Sequence, residues 1–350
     1  MNYTNCGDFK TSYKKDTEIY QSLFSKISIY SFLVFLFILP FFIDDYFLYL
    51  LNIIMIAIIG AVGLNILTGI TGLISLGQGA FVGVGAYAAG YISNKFGLNF
   101  ILVIPIAGFI TALVGMVFGI PSLRLKGLYL SIATLAAQFI LEFIFIRAES
   151  ITGGVTGLSL DYANFFNIHL DNDFKFYFFA LLLTIIFVTA AKNIVRTKIG
   201  RAFLSIRDNY IAAEAMGINI FQYKILSFGI SSFYAGVAGA MWAYYVTIIT
   251  PEHFTIGVSI QYLSMIIIGG LGKILGSIFG AIFITILPEI LRFVADQFTS
   301  NFPFLTQAFA SIREAAFGIV IILFLLFEPE GIVRRWSLIK AYFKLWPFSY

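Results

Sequence analysis

Apolar residues run in blocks from one end of this chain to the other, interrupted by short charged or glycine-rich segments. A helix of about 20 apolar residues crosses a bilayer. On that scale the blocks near 27–43, 46–67, 79–93, 99–119, 128–146, 174–191, 225–247, 257–268, 276–294 and 307–327 predict an all-α integral membrane protein, a bundle of about ten transmembrane helices. The blocks 79–93 and 257–268 are short for a full crossing and also fit broken or re-entrant helices.

With ten spans both ends of the chain lie on one side, and the positive-inside rule selects it. A cytoplasmic N-terminus puts Lys10, Lys14, Lys15, Lys26, Arg124, Lys126, Lys192, Arg196, Lys198, Arg201, Arg207, Lys224, Lys273, Arg334, Arg335, Lys340 and Lys344 inside. The outside then receives Asp44, Asp45, Glu149, Asp161, Asp171, Asp173, Glu252 and Asp296, with Lys95, Arg147 and Arg292 at loop edges. A wrong span count would scramble this sorting from the error onwards, so the charges support count and orientation together. The chain then divides into a cytoplasmic tail (1–26), a membrane domain (27–327) and a second cytoplasmic tail (328–350). Within the membrane domain, 147–173 is a long external loop and 192–224 a long cytoplasmic one. The first block ends at Asp44 and Asp45 without a small-residue cleavage site, as a retained span does.

Composition agrees: 60% of residues are apolar and 11% charged, against roughly a quarter charged in soluble domains. The net charge of +4 carries no nucleic-acid signal once its sidedness is accounted for. A lone cysteine, Cys6, rules out an intramolecular disulfide and a cysteine metal cluster. His169 and His253 fall in separate external loops without paired ligand spacing. Gly269-Gly270-Leu271-Gly272-Lys273-Ile274 lacks both the spacing and the hydroxyl of a phosphate-cradling loop, so no nucleotide site is encoded and no cofactor is expected. With Glu142, near the outer end of its span, as the main exception, the spans also lack the ionisable residues that ion-coupled carriers place at depth, although Na⁺ can be held by carbonyl and hydroxyl oxygens alone. Clustered catalytic side chains at depth are missing as well, which argues against a membrane enzyme.

Four constellations remain. In Thr68–Gly90 the density of glycine predicts a helix that breaks near 68–78 and resumes. Gly79, Gly83 and Gly90 then offer a small face for close packing, while Thr71, Ser75 and Gln78 are candidates to line a translocation path. In the fifth span Ser131, Thr134, Gln138 and Glu142 fall within an arc of about 80°; the stripe serves either interhelical hydrogen bonding or the path. In the loop 192–224, Asp208 as N-cap and Gly217 as C′ residue delimit a short helix over 209–216. Its Ala212, Ala213 and Ala215 leave the surface bare enough for another backbone to approach, with Glu214 as an anionic anchor; a helix resting on lipid headgroups is the alternative. Thr152–Leu158 reads as a glycine turn.

The segments GLNILTGITGLISLGQGAFVGVGAY (63–87), ITGGVTGL (151–158), IGRAFLSIRDNYIAAEAMGINIFQYK (199–224) and SIQYLSMIIIGGLGKILGSIFGAIF (259–283) together resemble the LivM-like permeases of branched-chain amino-acid ABC importers. The resemblance runs over about residues 50–331. It implies an importer-type permease of the bacterial inner membrane, not itself an enzyme, with both termini cytoplasmic. It further implies a homologous LivH-like permease, two cytoplasmic ABC ATPases and an external substrate-binding protein as partners, besides membrane lipid. Residues 199–224 then correspond to the segment that docks on an ATPase, with Asp208, Ala213, Glu214, Ala215 and Gly217 as coupling residues. Here the chain departs from the family pattern: Met216 alone separates Ala215 from Gly217. Urea and short-chain amide importers use similar permeases, so the resemblance leaves the solute open between those classes; an ion-coupled secondary carrier is the rival outside the family.

Overall fold

A helix stands on each of the ten apolar blocks in the computed structural model, which describes residues 23–121, 127–161, 164–165, 168–169, 172–299, 309–328 and 330–345. They are α1 (Leu23–Ile38), α2 (Asp45–Leu64), α3 (Gln78–Phe96), α4 (Phe100–Gly119), α5 (Leu128–Arg147) and α6 (Asp173–Arg196). After α7 (Lys198–Ala215), which lies between blocks, come α8 (Ile220–Val246), α9 (Ile256–Gly269), α10 (Ile274–Thr299) and α11 (Phe309–Phe327), and then a last helix, α12 (Ile332–Leu345). Among the described residues, six segments are long and apolar enough to cross a membrane: Asp45–Ile70, Phe100–Gly119, Tyr129–Arg147, Asp173–Arg196, Ile220–Val246 and Ile274–Phe293. The 14 residues of α9 rise only about 21 Å, short of a hydrocarbon layer roughly 30 Å thick. The tail up to residue 22, Arg124, Lys126, residues 162–163, 166–167 and 170–171 of the loop 147–173, and residues 346–350 lie outside the described residues.

The two most enclosed of the six are Asp45–Ile70 and Ile220–Val246. α8 packs against α2, α3 and α4, and its buried face reads Ser227, Ser231, Ala235, Ala238 with Gly236 and Gly239 beside them. Without side chains these glycines bring backbones into contact: a Cβ on Gly239 would strike the carbonyl of Val82, and one on Gly85 the backbone of Gly236. Close approach of this kind gives membrane helices the packing that hydrophobic burial cannot supply inside lipid. α9 and α10 meet in the same way, since a Cβ on Gly280 would overlap the carbonyl of Met265 and one on Gly269 that of Gly276.

The region 192–224 is almost entirely helical, where the sequence predicts only a short helix at 209–216. Gly200, Ala202, Phe203 and Ile206 are buried, so Lys198–Asp208 already folds as an amphipathic helix ahead of a kink at Asn209 (φ −158°, ψ 101°). Asn209, not Asp208, caps the second part of α7: its Oδ1 accepts from the amides of Ile211 and Ala212, both at 3.1 Å. Asp208 is taken by Arg207, 3.0 Å away, and an acid neutralised by its neighbour is a poorer cap than the free amide next to it. The far end closes on Gly217 at φ +82°. There the amide of Gly217 donates to Glu214 O and that of Ile218 to Ala213 O, at 2.9 and 3.0 Å, the paired bonds of a Schellman motif. The start of α8 also comes earlier than its apolar block, because Asn219 caps it through a bond from the amide of Gln222 at 3.1 Å.

Candidate translocation and coupling sites

The dense glycine run 63–90 resolves into three parts. α2 ends in a π-helical turn, Asn65–Ile70; residues 71–77 are not helical; α3 starts at Gln78. A helix that restarts inside a membrane exposes its first amide groups, and side chains from elsewhere satisfy them here. The amide of Gly79 donates to Ser259 Oγ at 2.8 Å and that of Ala80 to Gln138 Oε1 at 2.8 Å. Ser259 Oγ in turn donates to Gln138 Oε1 at 2.9 Å, and Gln138 Nε2 donates to the carbonyl of Phe254 at 2.7 Å. Gln138 is fully buried, and with these bonds it joins α5, the start of α3 and the segment leading into α9.

Of the polar residues singled out along the path, five gather at this joint. Thr134 Oγ1 accepts from the amide of Leu76 at 2.9 Å. Ser131 Oγ lies 3.5 Å from the carbonyl of Ile74, Ser75 Oγ accepts from the amide of Gly77, and Gln78 Nε2 donates to Gly60 O at 2.9 Å. Gln138 completes the group. Thr71 stands apart and donates to Ile66 O at 2.9 Å. Glu142, one turn beyond Gln138, is half-buried with its Oε2 unpartnered. The other six are all buried. A Cβ on Gly79 would come 2.9 Å from Ser259 Oγ and one on Gly83 2.7 Å from Phe145, so both need a small residue, whereas one on Gly90 would meet only the side-chain ends of Ile249, Leu160 and Leu158 at 3.0–3.3 Å, which need yield only slightly.

The glycine turn 152–158 packs beside these elements. Gly153, Gly154 and Gly157 all take positive φ, Thr152 Oγ1 bonds the carbonyls of Phe145 and Ala148 at 2.8 Å, and Leu158–Ser159 pairs antiparallel with Ile248–Ile249. His253 belongs to the adjoining turn, where its Nδ1 lies 2.9 Å from Thr250 Oγ1.

Separate from this polar joint, the tip of α7 stands away from the bundle. Ile211, Glu214, Ala215 and Met216 are exposed, Met216 to 85%, while Ala213 is buried and holds the tip in place. A short helix with a fixed base, a capped start and a glycine stop thus carries an apolar surface, with Ile211 and Met216 prominent and one acid, Glu214, on it.

These parts coincide with the segments of a single family: the chain matches the one described as branched-chain amino acid transport system / permease component over residues 46–326. It belongs to that family. Among relatives of this permease, the high-affinity branched-chain amino acid transport system permease protein LivM of Salmonella typhimurium is 31% identical over 262 residues, 68% of this chain and 62% of that one. The probable branched-chain amino acid transport permease protein LivH of Methanocaldococcus jannaschii is 28% identical over 295 residues, 80% of this chain and 89% of its own. The ribose import permease protein RbsC of Haemophilus influenzae is 28% identical over 244 residues, 66% and 72% of the two chains. The match to LivM therefore spans about three fifths of that relative's length. No solved structure matches the chain significantly. Family membership and the apolar helices make this a multi-pass membrane protein.

Sequence reasoning does not single out Asn209, Ser259 or Arg207. Asn209 is visible only as a second cap residue beside Asp208. Ser259 carries no local signal, because its partner lies 121 positions away.

Proposed function

We propose that this chain is the membrane permease of an ATP-driven importer of branched-chain amino acids in a bacterial inner membrane. Ten apolar helices build its membrane domain, and both termini lie in the cytoplasm. A homologous permease, two ATPases and an external binding protein complete the machine. The observation that carries the reading is the tip 209–217, held at both ends and exposing Ile211, Ala215 and Met216 beside the single acid Glu214, an apolar surface that suits docking of another protein. Closure of the ATPases moves this tip through the exposed Asp208, Glu214, Ala215 and Gly217, while Ala213, expected on the docking surface but buried against the bundle, passes the movement inward and switches access between two packed states; such a partner acts only through a difference in its contact with them. The joint around Gln138 is the part that holds α3 in one state. Contact of Thr71, Ser75, Gln78, Ser131, Thr134 and Glu142 with solute belongs to states in which that joint opens. A neutral or zwitterionic solute suits these hydroxyls and amides, and the similarity to a ribose import permease supports one mechanism serving different solutes. A urea or short-chain amide importer is the alternative within this mechanism.

Reconstitution of the whole importer in proteoliposomes tests this. Leucine uptake is expected to require ATP on the side of the membrane that carries the ATPases; uptake by the chain alone on a Na⁺ or proton gradient would instead identify a secondary carrier. Gly217→Val is the companion variant. A Cβ there meets nothing within 4 Å, so the cost is backbone strain alone, about 1–2 kcal/mol for a left-handed residue, and falls on the tip. Insertion is expected to stay normal while the ratio of solute moved to ATP hydrolysed drops roughly five- to thirtyfold, the factor that this strain corresponds to. An unchanged ratio would count against the docking role.

A further inference from the structure

One side chain ties the tip of α7 to the interruption in α2. Arg207 sits two residues before the kink. Its Nη1 donates to the carbonyl of Gly69, inside the π turn, at 3.1 Å, while its Nε and Nη2 donate to Asp208 Oδ1 at 3.1 and 3.0 Å. Its stem lies over Gly72, where a Cβ would come 2.8 Å from Arg207 Cγ and where φ is +78°. The same turn is gripped from another side by Asn65, whose Oδ1 accepts from the amide of Gly272 and whose Nδ2 donates to Lys273 O, both at 2.9 Å. Segments 65–72, 207–208 and 270–273 therefore meet at one point.

The end of an interrupted helix presents carbonyl oxygens with partial negative charge. Ion-coupled carriers hold Na⁺ at such ends; in this chain a guanidinium stands there, and it is carried by the segment next to the kink. A charged donor on a backbone carbonyl makes a strong, directional link. We propose that Arg207 is the positioning residue that couples movement of the 209–217 tip to the helix interruption, by holding Gly69 O in one access state and releasing it in the other. This rests on the tip being the ATPase-docking element.

The test uses the reconstituted importer with Arg207→Met, Arg207→Lys and Arg207→Gln, reading ATPase co-purification, ATP hydrolysis and solute uptake separately. Arg207→Met is expected to keep the ATPases bound and hydrolysing, while ATP consumed per solute rises roughly tenfold or more, the scale of one lost charged hydrogen bond. Arg207→Lys, which keeps a charge for Gly69 O but cannot also hold Asp208 with a fork, is expected to fall between Met and wild type. Should the Met variant fail to insert, Arg207→Gln decides in its place, with a raised ATP cost supporting the proposal. Wild-type coupling in Met, or in Gln when Met does not insert, overturns the role of Arg207 and leaves the docking reading standing. Failure of the unmutated chain to hold ATPases through the tip sinks the docking reading instead, and the proposal with it.

Discussion

Gln138→Leu is expected to cost the protein its stability before it touches transport. The leucine fills the same space but leaves the Ala80 amide and the Ser259 hydroxyl without their acceptor and the Phe254 carbonyl without its donor. Each buried group left unpaired costs about 1–3 kcal/mol, so a loss of roughly 2–6 kcal/mol results if two of the three stay unsatisfied. Thermal unfolding of the purified chain in detergent should show a midpoint well below wild type, with Gln138→Glu closer to wild type because it retains the acceptor. A Leu variant as stable as wild type but with altered uptake would return Gln138 to the path as a solute contact.

The second large effect concerns backbone contact between helices. Gly239→Ala adds one methyl group directed at the carbonyl of Val82. Backbone cannot rotate away as a side chain can, so α3 and α8 must separate, and overpacking of this kind costs typically 1–3 kcal/mol and more where nothing yields. Gly318→Ala in α11 provides the contrast, since a Cβ there meets nothing within 4 Å and alanine is the better helix former by about 1 kcal/mol. Expression as folded, monodisperse protein should fall sharply for the first and hold for the second; equal yields would show that the α3–α8 contact does not set the packing.

Much of the fold is legible in the sequence because lipid imposes a simple rule: apolar blocks become helices, and a helix stands on every block. The break near 68–78 is legible too, from glycine density alone, and the structure leaves 71–77 non-helical; the π turn Asn65–Ile70 ahead of it is not. Nor is the purpose of the fifth-span stripe. Ser131, Thr134 and Gln138 advertise a polar face through their spacing, but the groups they serve lie 57 and 58 positions back, at Ile74, Leu76 and Ala80, or far ahead at Phe254 and Ser259. Local sequence also cannot choose between Asp208 and Asn209 as the cap, because the choice is made by Arg207, which draws Asp208 aside while reaching Gly69. The first half of α7 is hidden because its buried residues, Gly200, Ala202, Phe203 and Ile206, form too short a stripe to stand out beside true spans.

Sidedness of the α7 tip is the most direct test. In a Cys6→Ser background, which removes the native thiol, Ala215→Cys should react with a membrane-impermeant maleimide in inside-out vesicles, not in right-side-out ones, and should be shielded when the ATPases are bound. Reaction from the external face, or labelling untouched by the ATPases, would contradict the account.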